Sequence, residues 1–325
     1  MLRFFDKDRT TLFFDPAAEP IAELEDGERI LVRTQDSVCG LAKAEAPRGF
    51  HIQEVLDRLG GACPVTGPFA VRGASLGDVL EVELHRIDPY PQSGTAWTAV
   101  FRGFGALASE AYSLQEPLES ETMLVPYADG VARFPAGDRT VLVPLHPFLG
   151  TVGVAPRRER RMTFSQSPEY LGDVDMPSLT SGATVVLPVN VEGGLLGFGD
   201  AHAAQGDGEI TGAAVEIESE VELTVNVRRA EEVTFVSLPQ INTSTTIGSV
   251  AGFEGVHLGD CARAAYVDLV QRLVQGYGFG RNQAYALVGQ VGRLHVGNMI
   301  DPFYSVMASV ERRFIPGAEG VSPQS

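Results

Sequence analysis

The sequence predicts a mainly β protein with a few helices, and three observations point there. Its 325 residues include 36 Gly and 20 Pro, the punctuation of many short elements joined by turns. Residues 78–87 and 213–227 alternate apolar and polar side chains, the mark of half-buried strands. Only near the C-terminus does the period change. There residues 260–275 repeat apolar side chains at three- and four-residue steps, and after a Gly-Tyr-Gly-Phe-Gly break residues 281–291 form a second helix.

In chain order, residues 1–28 mix Phe pairs with acids and Pro and read as an irregular N-terminal arm with one short strand. Residues 29–325 read as a single domain. It opens on a strand over 29–38, where Asp36 is either a cleft-facing acid or a turn acid that caps local N–H groups. A short helix follows over 50–59 and a strand over 97–101, and residues 110–126 are acidic and irregular. Residues 139–156 are β-rich but break at His146-Pro147, because proline forces the preceding residue into an extended conformation. Residues 157–161 are a basic, solvated loop. Residues 183–191 form a buried strand, 232–238 continue β, and 242–248 are a polar turn. Asp260 is placed to cap the first C-terminal helix, and 305–315 form the last strand.

Composition bounds the function. A chain 44% hydrophobic and 21% charged suits a soluble globular protein with ample core. The formal net charge of −17 repels phosphate backbones and anionic lipid, which argues against nucleic-acid and membrane partners. Clustered acids can instead hold a divalent cation. Cys39, Cys63 and Cys261 are far apart and form no CxxC pair, which argues against a cysteine zinc site or a disulfide framework. The odd count and the absence of a long apolar N-terminal run point to the cytoplasm. A β-rich chain with exposed strands is expected to form a homo-oligomer.

The chemistry concentrates in residues 187–209, where an apolar run enters a glycine-rich segment carrying Asp200, His202, Gln205, Asp207 and Glu209. Glycine lets a backbone turn tightly and approach a ligand, and the side chains between are types that bind metals or move protons. Asp173 and Asp175, one residue apart, offer a further cation site. The plain alternatives are specific. Asp207-Gly208 is also a hairpin turn that leaves Glu209 on the surface. Glu216, Glu218, Glu220 and Glu222 read as a solvated sheet face, His85 as a surface residue, and His257 and His295 as structural.

At Gly199-Asp-Ala-His-Ala-Ala-Gln-Gly-Asp-Gly-Glu209 the chain resembles the acetamidase/formamidase family. The same order holds for Pro64-Val-Thr-Gly-Pro68 with Gly77-Asp78, His146-Pro-Phe-Leu-Gly-Thr-Val-Gly-Val-Ala-Pro156, and Gly172-Asp-Val-Asp175 before Leu187-Pro-Val189, so the resemblance spans residues 29–315. Two positions depart from it: Cys63 and Asp173 stand where the family pattern has Asn. The resemblance implies a β-sandwich-like fold with a C-terminal helix pair, and hydrolysis of a small linear amide to carboxylate and ammonia. Gly73-Ala-Ser-Leu-Gly77 matches Gly-x-Ser-x-Gly but leads into the strand over 78–87 rather than into a helix, and no Ser-x-x-Lys motif occurs, so metal-activated water is expected, with zinc as the metal and calcium as the alternative. On residue type, His202 and Asp200 are metal ligands, with Asp36, His146 and Asp175 completing the shell. Glu209 is the general base and then acid, and Asp207 orients or ligates. Thr151 binds substrate, and backbone N–H groups of the Gly206–Gly208 turn receive the oxyanion. Two rivals remain: a metal-free amidase with Cys63 as nucleophile, and a non-catalytic protein that binds an amide or a cation.

Overall fold

The structure is a computed structural model that describes residues 2–107, 118–234, 237–300 and 302–318. Two large sheets carry the fold. The first has nine strands, in the order Arg3–Phe5, Glu28–Thr34, Ser219–Arg228, Val79–Pro89, Thr184–Pro188, Gln240–Asn242, Thr246–Glu254, Phe303–Glu311 and Arg293–Ile300. The second has twelve, and its centre is Leu196–Ala204. Along one edge that strand pairs with Phe148–Gly153. Along the other it changes partner: Leu196, Phe198 and Gly199 pair with Val65–Val71, whereas Ala201, His202 and Ala204 pair with Val215–Ile217. The change falls at Asp200, which takes a left-handed backbone with φ 55°.

The apolar phases of both sheets meet in one core. Val32, Val82 and Leu223 from the first sheet and Phe69, Leu149 and Phe198 from the second are all fully buried. Removing such side chains from water stabilises by roughly 1.5–3 kcal/mol each. The outer face of the first sheet is covered by helices. These are α3 (Leu258–Tyr277) and α4 (Arg281–Val291); α1 (Leu41–Glu45) and α2 (Ile52–Leu59) lie earlier in the chain. From α3, Cys261, Ala265, Leu269 and Leu273 recur at the helical period and pack on Ile247, Ala251, Val306 and Ala308. The β-rich, sandwich-like fold class and the C-terminal helix pair read from the sequence are therefore present. Among the described residues no helix is long and apolar enough to cross a membrane.

Several local expectations are corrected. The first 28 residues hold four short strands, not one: Arg3–Phe5 runs parallel to Glu28–Thr34, and Ala22–Leu24 parallel to Val65–Val71. Strands of two or three residues are too short to show alternation in sequence. The acidic stretch 110–126 falls partly outside the described residues, and its end opens the strand Glu121–Ala128, in which Thr122, Val125 and Tyr127 are buried. In 232–238 the described residues are turns and bends; 235–236 lie outside them. Asp260 does not cap α3. The cap position is His257, and Asp260 is exposed with its carboxylate on Arg263 at 2.7 Å. The last strand is Phe303–Glu311, preceded by Arg293–Ile300, which the sequence reading omits.

Beneath α3 lies a buried polar knot. One Asp268 oxygen accepts from the Ser237 and Leu238 amides, and the other accepts from Ser249 Oγ at 2.6 Å. Arg272 donates to the Gly248 carbonyl at 2.7 Å and to Asn242 Oδ1 at 3.0 Å. Burial pulls the Arg272 guanidinium down to about 10, so it remains charged at neutral pH. Asp268→Ala would leave two amides and the hydroxyls of Ser237 and Ser249 without their acceptor, and would remove the anion whose charge supports the Arg272 cation. It is expected to lower unfolding stability by about 3 kcal/mol in urea titration.

Candidate active site

The change of strand partner at Asp200 opens the second sheet, and the residues that border this opening build the site. The backbone turns sharply at each contribution: Cys63, Asp175, Asp200 and Glu209 all have left-handed φ, at 54°, 47°, 55° and 43°. Non-glycine residues hold this conformation at a cost of roughly 1–3 kcal/mol each, and such strain concentrates at functional sites. Gly150 makes the approach possible. A Cβ there would stand 2.7 Å from both Asp175 Oδ1 and Asp200 Oδ2. The next residue, Thr151, bridges Asp173 Oδ1 at 2.5 Å and Asp200 Oδ2 at 3.1 Å.

His202 is the centre. Gln205 donates its amide N–H groups to the carbonyls of Asp175 (2.8 Å) and Gly297 (3.0 Å), so its Oε1 faces His202 Nδ1 at 2.8 Å. An amide oxygen only accepts, so Nδ1 carries the proton. Nε2 then turns toward four carboxylates: Glu216 at 3.5 Å, Asp200 at 3.6 Å, Glu209 at 3.9 Å and Asp175 at 4.0 Å. All five side chains are buried, and Phe148 lies edge-on against the imidazole at 5.1 Å. Asp200 Oδ1 is buried and has no hydrogen-bond partner among the described residues.

This concentration of charge away from water shifts the groups in opposite directions. Burial pushes Glu209 and Asp173 well above the usual carboxylate range, and neighbouring carboxylates add to it. Burial, opposed by the His202 charge, leaves Asp175 at about 6 and Glu216 at about 8. For His202, burial works downward but is outweighed by Glu216 and Asp200, which hold the imidazole well above its ordinary value. For Asp200, burial works upward but is outweighed by His202 and by hydrogen bonds, which keep it below the ordinary value. Asp175 is further held by Asn298 Nδ2 at 2.8 Å, and Glu216 by Ser37 Oγ at 2.8 Å and the Ala214 amide at 2.9 Å.

The donor set fits a divalent cation. In its neutral form the imidazole presents a lone pair at Nε2, four carboxyl groups surround it, and Asp200 Oδ1 has no hydrogen-bond partner among the described residues. Ligand atoms of Asp175, Asp200 and His202 lie within 4.8 Å of one another, as do those of His202, Glu209 and Glu216. Nitrogen with carboxylate oxygen suits zinc, and the carboxylate majority also suits calcium.

Of the residues expected from the sequence, Asp175, Asp200, His202, Glu209 and Thr151 lie together here. Four other expectations are not met by the geometry. Asp36 is buried but saturated: it accepts from the Val38 and Gly40 amides and from Trp97 Nε1, and pairs with Lys43 at 3.4 Å. It is the turn acid of the plainer reading. His146 is exposed, outside the carboxylate centre, in a shallow depression that also includes Gly206. Asp207 is exposed as well. The Gly206–Gly208 turn offers no oxyanion donor of the expected kind, because the Gly208 amide donates to the Val296 carbonyl at 2.9 Å and Gly206 faces outward.

Glu216 was missed. Its alternation with Glu218, Glu220 and Glu222 suggests one solvated face, but the chain passes from the second sheet to the first between Val215–Ile217 and Ser219–Arg228. Glu220 and Glu222 lie on the outer side with Arg33, Arg86 and Arg29, while Glu216 turns inward. Asn298 was missed too, on a strand that only its pairing partner reveals. Cys63 reaches the centre beside Asp173 and Asp200. Burial, then the charges of Asp173 and Asp200, hold its thiol protonated, which ill suits thiolate attack.

Fold and site together define a two-sheet β protein with a buried carboxylate–imidazole centre. The chain belongs to the acetamidase/formamidase family, whose model matches residues 6–171 and 163–308. It is similar over its length to crystal structures of two acetamidases. The one from Bacillus halodurans has 28% identity and a TM-score of 0.84, covering 96% of this chain and 98% of that one. The one from Yersinia enterocolitica has 28% identity and a TM-score of 0.85, covering 96% and 92%. A formamidase from Methylophilus methylotrophus is 26% identical over 149 residues, which is 41% of this chain and 37% of that protein. The chain spans less than half the length of the curated relatives it matches.

Raised carboxylates make the stability of cation-free protein depend on pH. Asp175 and Glu216 bind protons in the folded state that the unfolded chain, at 3.8 and 4.5, has released. That contribution is complete below those values and is lost as pH rises through about 6 and about 8. The raised His202 acts in the same direction, and Asp200 acts oppositely only below 3.8. Tm in excess chelator is therefore expected to fall from pH 5 to pH 8, and added zinc or calcium to restore it most at the alkaline end.

Proposed function

We propose that this protein hydrolyses the C–N bond of a linear carboxamide, giving a carboxylate and ammonia. The observation that carries this reading is the convergence of His202 with Asp175, Asp200, Glu209 and Glu216 on the floor of a cavity of about 170 Å³. Membership of the acetamidase/formamidase family supports it.

In this reading Asp175, Asp200, His202 and Glu216 would hold a divalent cation, with zinc the metal proposed. When bound, the cation supplies Lewis-acid polarisation of the amide carbonyl and acidification of water. The remaining work belongs to the chain. Gln205 fixes the His202 tautomer, so Nε2 keeps its lone pair directed inward. Thr151 ties Asp200 to Asp173 and so anchors it. Glu209, near Nε2 but with no hydrogen bond from its own carboxylate among those described, takes the proton of the attacking water and returns it to the departing nitrogen. Burial raises its proton affinity, which suits a group that must hold a proton between the two steps. The apolar walls keep bulk water out of the reaction.

Ammonia release from formamide and acetamide, followed with and without chelator, tests the reading. Turnover that vanishes with chelator and returns with zinc is expected; a fresh, metal-loaded protein that releases no ammonia from any short amide overturns it. Glu209→Gln is expected to lower kcat by roughly 10²–10⁴-fold, the range of a positioned acid–base group. The same variant should retain ligand-induced stabilisation, which separates chemistry from binding.

A further inference from the structure

The cavity above the carboxylate centre is built for more than a small amide. Its floor is polar, but its walls are Ile52 and Leu56 of α2 with Phe101, Phe104, Phe164 and Phe303. The aromatic residues are paired: Phe101 with Phe104 at 5.9 Å, and Phe164 with Phe303 at 6.0 Å, both edge-on. The Phe104 side is fitted to the backbone, since a Cβ on Gly212 would stand 2.4 Å from that ring. Four of the six wall residues come from segments that contribute nothing to the centre's charge: α2, and the loop around Phe101 and Phe104.

We propose that the substrate is a primary carboxamide bearing a neutral apolar group of about the size of an aromatic ring, as in phenylacetamide. The proposal rests on the amide-hydrolase reading and names the substrate class for that same site. Size supports it: an apolar cavity of ~150 Å³ takes up benzene, and this one is about 170 Å³. Formamide or acetamide would satisfy the polar floor and leave the aromatic wall uncovered. Charge supports it as well. Among the described residues, five carboxyl side chains and no lysine or arginine border the cavity, so a substituent carrying its own carboxylate would find no cationic side chain to pair with in the wall. The acyl group therefore packs among the phenylalanines while the carboxamide reaches the floor. Water adds across the C–N bond, the carbonyl carbon keeps the apolar group as a carboxylate, and nitrogen leaves as ammonia.

The test is the ratio of kcat/KM along formamide, acetamide, butyramide and phenylacetamide, measured as ammonia release by zinc-loaded protein. A rise of roughly 10- to 100-fold from acetamide to phenylacetamide is expected, the gain from burying a ring in an apolar pocket. A maximum at formamide or acetamide overturns the proposal while leaving amide hydrolysis intact. Release of no ammonia from any member overturns the hydrolytic reading instead. Binding then judges the cavity alone: phenylacetamide must raise Tm more than acetamide does, and an equal or smaller shift overturns the proposal. Leu56→Asp places a charge in the apolar wall. It is expected to lower the phenylacetamide-to-acetamide ratio at least tenfold, and an unchanged ratio overturns the assignment.

Discussion

An imidazole nitrogen facing four buried carboxylates is the constraint on which the rest of the site depends. Around His202 Nε2 the distances are 3.5 to 4.0 Å, too long for hydrogen bonds and too short for the charges to ignore one another. Like charges at this separation and out of water repel strongly unless protons or a cation intervene. The chain tolerates the arrangement because its surroundings over-determine it. Gly150 supplies the space, Gln205 the tautomer, Thr151 and Asn298 the anchors. Four residues held in left-handed conformations point their side chains where an extended strand would not.

The two-sheet architecture explains where this constraint is met. A continuous strand pairing along both edges would close the second sheet over the centre. Leu196–Ala204 instead exchanges Val65–Val71 for Val215–Ile217 at Asp200, and the ends of those strands carry Cys63 and Glu216 to the gap. The C-terminal helices α3 and α4 serve a different purpose. They cover the outer face of the first sheet, with a polar knot of their own around Asp268 and Arg272. Stability and chemistry are thus carried by separate parts of one chain.

The errors of sequence reading are instructive because each has a local cause. Asp36 sits at a strand end, as a cleft acid would, yet its oxygens are consumed by two amides, an indole and a lysine. Residue type alone does not distinguish an acid that has partners from one that awaits a ligand. His146 stands before a proline just past the end of a strand, as expected, but the residue is exposed. Glu216 shows the reverse case. Period-two alternation reads correctly only within one sheet, and the chain changes sheets two residues later.

By itself the sequence determined the β-rich class and the C-terminal helix pair, and it offered Asp175, Asp200, His202 and Glu209 among the site candidates. These follow from local periodicity, glycine placement and the grouping of side chains along short stretches, all of which the chain carries without folding. Tertiary structure decided which acids face inward, which nitrogen of His202 is free, and that phenylalanines from distant segments wall the cavity above it. Those outcomes depend on strand partners, on hydrogen bonds between residues far apart, and on the exact turn at Asp200, and none of these is written in a local pattern.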